Sequence, residues 1–79
     1  MAEHTTIGII DKLYESGELL PLINSGLFSV HVLTYRKIYH LYNERLALGQ
    51  KKMQALEDVK FTFPYSDSHI YAIIKSMRS

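Results

Sequence analysis

Phe61-Thr62-Phe63-Pro64-Tyr65-Ser66-Asp67-Ser68-His69-Ile70-Tyr71-Ala72-Ile73-Ile74-Lys75 is the stretch whose reading decides the fold. Pro64 has no amide hydrogen and disfavours helical geometry at Phe63, so a helix that runs up to Thr62 must stop there. A tight corner follows. Ser66 then stands where its hydroxyl can accept from the orphan amides of a new helix, and Asp67 sets negative charge against the positive end of that helix's dipole. Ile70, Ile73, Ile74 and Met77 recur at three- and four-residue spacing, which predicts one buried stripe. Asp67, Ser68, His69, Tyr71, Ala72, Lys75 and Arg78 are left on or beside the outward face.

Upstream of this stretch the chain reads as further helices. Ile7, Ile10, Leu13 and Tyr14 repeat at helical spacing, and Ser16-Gly17 supplies a stop, predicting a first helix near residues 5–16. Leu19, Leu20, Leu22, Ile23 and Leu27 predict a short second helix that tolerates Pro21 in its first turn and ends at Ser25-Gly26. Ser29 is placed to cap a long third helix from about Val30 to Leu48, closed by Gly49. Val30, Leu33, Ile38, Leu41 and Leu48 mark one of its faces, and Tyr35, Tyr39, Tyr42 and Leu46 an adjacent one, so this helix is expected at the centre. A fourth helix is predicted from about Gln50 or Lys51 to Thr62, with Met53, Leu56, Val59 and Phe63 inward. The expected fold is all-α, a small bundle of four or five helices in one domain. Residues 1–28 or so would hold the N-terminal helices and residues 29–79 the C-terminal core.

Composition narrows the function classes. With 79 residues the chain makes a single domain, and its hydrophobic content of 47% suits a folded protein rather than a disordered one. The absence of cysteine excludes disulfides, thiolate zinc sites and a cysteine nucleophile. Apolar runs such as Leu19-Leu20-Pro21-Leu22-Ile23 fall short of a membrane span, and the N-terminus lacks a signal-peptide layout. A soluble, cytoplasmic chain is expected. His40 and Glu44 lie four apart, but two ligands on one helix make no metal site. No phosphate loop, nucleophile motif or carboxylate pair in an apolar setting is visible, so neither enzyme activity nor a cofactor is expected.

Charge is unevenly distributed. Residues 1–35 carry Lys12 against Glu3, Asp11, Glu15 and Glu18, a net of −3. Residues 36–79 carry Arg36, Lys37, Arg45, Lys51, Lys52, Lys60, Lys75 and Arg78 against Glu44, Glu57, Asp58 and Asp67, a net of +4. Positive charge thus gathers in the half that holds the Pro64 corner, as contact with a polyanion requires.

The segment from about Arg36 to Met77 resembles the three-helix core of helix-turn-helix domains of bacterial transcription regulators and of phage and mobile-element proteins. Val59, Phe61 or Phe63, Ser66 and the pair Ile70 and Ile73 follow that family's order, and Ile70-Tyr71-Ala72-Ile73-Ile74 resembles the core of many recognition helices. The chain departs from the family pattern in its turn, which is about one residue longer and lacks the common glycine, and in its recognition helix, which is short of the usual base readers Arg, Asn and Gln and carries the acidic Asp67 near its tip. The resemblance implies a DNA-binding module, a small transcriptional regulator or mobile-element protein, with Ser66 to Met77 in the major groove of double-stranded DNA.

Under that implication Ser66 opens the groove helix, Ser68 and His69 are candidates to donate to bases, Tyr71 and Lys75 to contact a phosphate and a base edge, and Lys51, Lys52, Lys60 and Arg78 to hold phosphates. Arg36, Lys37 and Arg45 would extend the basic surface, unless Arg45 pairs internally with a neighbour of Glu44 or with a carboxylate from residues 1–35. The bland alternative for each is an ordinary solvated side chain. The tyrosines Tyr35, Tyr39 and Tyr42, with His31 one turn earlier, fit core packing better than base stacking. The competing function class is a helical adaptor that binds another protein through its apolar N-terminal helices, which would equally serve as a homodimer surface.

Overall fold

The computed structural model describes residues 5–79, which form five helices and no strand: α1 (Thr6–Glu15), α2 (Leu19–Asn24), α3 (His31–Ala47), α4 (Lys52–Thr62) and α5 (Asp67–Arg78). The all-α expectation is met. Glu3 of the acidic half lies outside the described residues.

Local chemistry accounts for the boundaries. The Thr5 hydroxyl accepts from the Gly8 amide at 3.1 Å and opens α1. The Ser66 hydroxyl accepts from the His69 amide at 3.3 Å and opens α5, as its position before Asp67 predicts. Phe63 is extended at φ −122° and ψ 133°, the geometry that Pro64 imposes on its predecessor, so α4 ends at Thr62. The Ser29 hydroxyl accepts from the His31 amide at 3.2 Å, and α3 begins one residue later than predicted.

Glycine supplies the stops. Gly49 sits at φ +92°, where its amide bonds to the Leu46 carbonyl and the Gln50 amide to the Arg45 carbonyl, satisfying two of the last carbonyls of α3. Gly26 repeats this after α2 at φ +87°, with its own amide on Ile23 and the Leu27 amide on Leu22.

The core is one cluster centred on α3, which packs along both α4 and α5 and touches α1. Ile38 of α3, Leu56 and Val59 of α4 and Ile70 of α5 are fully buried, each contributing about 1.5–3 kcal/mol by leaving water. Ile73, Ile74 and Met77 complete the predicted stripe of α5. Ile7 and Ile10 bring α1 onto α5, so the first helix belongs to the same core as the last three. The Ser79 carbonyl closes this contact by accepting from both the amide (2.6 Å) and the hydroxyl (3.1 Å) of Thr6.

Three expected core residues are exposed instead. Val30 and Leu48 stand just beyond the two ends of α3, where no neighbouring helix covers them. Met53 falls on the outer side of α4, and the small Ala55 takes a fully buried position. Helix α2 is the outlier of the fold. It packs on α1 and on no other helix, sealed by Leu19 alone among its fully buried side chains. The resulting molecule is flattened, 37 × 28 × 18 Å, and its radius of gyration of 13.0 Å exceeds the roughly 12 Å of a compact domain this long.

Candidate functional site

Folding sorts the basic residues into two groups. The first is consumed internally. Arg36 Nε donates to Asp11 Oδ1 at 2.7 Å, and its guanidinium carbon lies 4.0 Å from the centre of the Tyr14 ring. His40 Nε2 shares the same carboxylate at 2.9 Å. Arg45 Nε lies 3.4 Å from Asp58 Oδ2. Lys60 Nζ lies 2.8 Å from Asp67 Oδ1 and 3.7 Å from Glu57 Oε1. The expectation that Arg36 and Arg45 extend a basic surface is therefore corrected, because packing α1 and α4 against α3 brings each a carboxylate. Arg45 finds its partner on α4 rather than in the acidic N-terminal half.

The second group makes no ion pair among the described residues: Lys12, Lys37, Lys51, Lys52, Lys75 and Arg78. Four of these six gather at the start of α4 and the end of α5. Lys52, Lys75 and Arg78 line one open groove of about 280 Å³ together with Tyr71, above a floor of Tyr42 and Ile74. Among the described residues no carboxylate lines it. Lys51 precedes it as the N-cap of α4, a helix start with no side-chain cap and no acidic residue in its first turn. The free amides there add positive partial charge to that of the lysines. Such a concentration of like charge is a repulsive arrangement that an anion relieves.

The outward face of α5 carries Ser68, Tyr71, Ala72 and Lys75, all exposed. His69, expected beside them as a donor to bases, is engaged laterally. Its ring lies 4.6 Å from that of Tyr65 and 6.4 Å from that of Tyr35, both edge-on, and Tyr35 stacks in turn on His31 at 6.1 Å. A second shallow groove of about 190 Å³ runs there between α3 and α5, lined by Tyr35, His69, Ala72, Ile73 and Ser76. The Ser66 hydroxyl is occupied as a cap acceptor.

Lys60 stands apart from the other lysines. The hydrogen bond to Asp67, then the Asp67 and Glu57 charges, hold its ammonium above the ordinary lysine value. It offsets the negative charge at the tip of α5 and leaves little of its own for phosphate. Tyr42 and Ile74 are the groove residues that sequence reading assigned to the core alone, since nothing in their spacing distinguishes a core residue from the floor of a groove.

Among the described residues no group of three or more histidines and carboxylates is placed to hold a metal, and no helix is long and apolar enough to cross a membrane. Comparison of the chain with protein-family models, curated proteins and solved structures returned no match.

Proposed function

We propose that this chain is a DNA-binding module, a small regulator or mobile-element protein that holds the phosphate backbone in the groove between the start of α4 and the end of α5. The observation that carries the reading is the convergence of Lys52, Lys75 and Arg78, all without a carboxylate partner among the described residues, beside the exposed Tyr71. Surface lysines are ordinarily interspersed with acids. Here Asp11, Glu57, Asp58 and Asp67 are paired elsewhere, and four of the six bases without an ion pair among the described residues gather in one place.

On this reading α4, the Pro64 corner and α5 act as a helix-turn-helix. Ser68, Tyr71 and Ala72 enter the major groove, while Lys51, Lys52, Lys75 and Arg78 meet the flanking phosphates. Lys60 serves indirectly by offsetting Asp67, which would otherwise repel the duplex. The outward face of α5 offers few bidentate base readers, so affinity comes mainly from phosphate contact and falls with salt. The test is binding of a labelled random-sequence duplex at two salt concentrations. Strong retention at low salt that is lost at high salt supports the proposal, and no retention by the folded protein at low salt contradicts it.

A second reading, a protein-interaction domain, is favoured by a separate observation: the exposed apolar corner between α2 and α3.

A further inference from the structure

Residues 19–34 contain no Asp, Glu, Lys or Arg, so every such residue of the chain lies outside this run. The run forms α2, its Gly26 stop and the first turn of α3. Four large apolar side chains of this run are left in water: Leu27 is 73% exposed, Val30 61% and Leu20 56%, with Phe28 beside them. Together they expose on the order of 400 Å² of apolar surface, as much as a soluble monomer ordinarily leaves in its largest patch.

From these observations we infer that the α2–α3 corner is the surface on which a second copy of this chain docks, about a two-fold axis. Neutrality argues for the partner. In an isologous interface each residue near the axis faces its own equivalent, so any charge there would meet its like, and a run free of charge is self-compatible. A strongly charged partner would find nothing to pair with. Area agrees. Two such patches form an apolar centre of about 800 Å², which a polar rim brings to the roughly 1,200–1,600 Å² of a stable interface.

The fold gives the corner a reason to be covered. A six-residue helix is too short to persist on its own hydrogen bonds, and α2 has only α1 to lean on. Docking would supply a second support. Helix α2 contacts neither α4 nor α5, so pairing through it leaves the cationic groove of each copy open. In this respect the inference rests on the DNA-binding reading, which gains from two linked half-sites.

The experiment is the molar mass of the full chain in solution over a wide concentration range, with duplex binding measured on the same samples. The wild type is expected to dimerise. Leu27→Asp and, independently, Val30→Lys should raise the dimer dissociation constant at least about tenfold with an unchanged helical circular dichroism spectrum. Phe61→Ser, at an exposed site on α4, should leave the dimer intact. A wild type that stays monomeric overturns the inference, whether another protein covers the corner or nothing does. So does a dimer indifferent to both corner substitutions. A monomer that binds duplex removes the dimer alone, whereas a dimer that ignores duplex at low salt removes the DNA reading alone.

Discussion

Lys60 Nζ lies 2.8 Å from Asp67 Oδ1, and this pair fastens the last turn of α4 to the first turn of α5 across the Pro64 corner. The partner carboxylates hold Lys60 protonated beyond its ordinary value of 10.5. Its contribution to stability is therefore complete at neutral pH and is lost as pH rises through the elevated value. Thermal unfolding followed from pH 7 upward should show the wild type above Lys60→Met at neutral pH, with the two converging in strong alkali. The comparison with Lys60→Met cancels every alkaline effect that the two proteins share.

Asp11 serves Arg36 and His40 at once; Asp11 and Arg36 are partly shielded, and His40 is exposed. Asp11→Ala leaves the Arg36 guanidinium, stacked over Tyr14, without its carboxylate. A loss of about 1–2 kcal/mol is expected in chemical denaturation, smaller in high salt. A loss under a few tenths would mean that apolar packing, through Ile7, Ile10 and Leu13, holds α1 in place without the ion pair.

Ile38 is fully buried where α3 faces the other helices. Ile38→Ala should cost about 2–5 kcal/mol, a large share of what a domain of this length has to spare, and melting should fall by well over about 10 °C. Phe61→Ser should change the melting temperature little, because the Phe61 ring is 96% exposed and buries nothing.

Much of this architecture was legible from residues alone. Pro64 after Phe63, Ser66 before Asp67 and the spacing of Ile70, Ile73, Ile74 and Met77 specify where α4 stops, where α5 starts and which side is buried, because these are local effects. The fate of the charges was not legible. Arg36 and Asp11 are 25 residues apart in sequence, and only the packing of α1 on α3 makes them a pair. Lys52 joins Lys75 and Arg78 by the same kind of tertiary accident of register. Met53 and Ala55 illustrate the limit in the core: hydrophobicity favoured Met53, but the buried side of α4 takes the smaller residue.

The measurement that bears most directly on the account is the salt dependence of random-duplex binding by the wild type and by a Lys52→Gln, Lys75→Gln, Arg78→Gln variant. If the three side chains hold phosphates, log K for the wild type falls with log salt, and the variant's slope is shallower by about 2.7, equivalent to roughly 40-fold less loss between 50 and 200 mM. The variant should melt as the wild type does, since the three side chains are exposed. Equal slopes for the two proteins, or no binding by either, would contradict the claim that this groove is where the chain meets DNA.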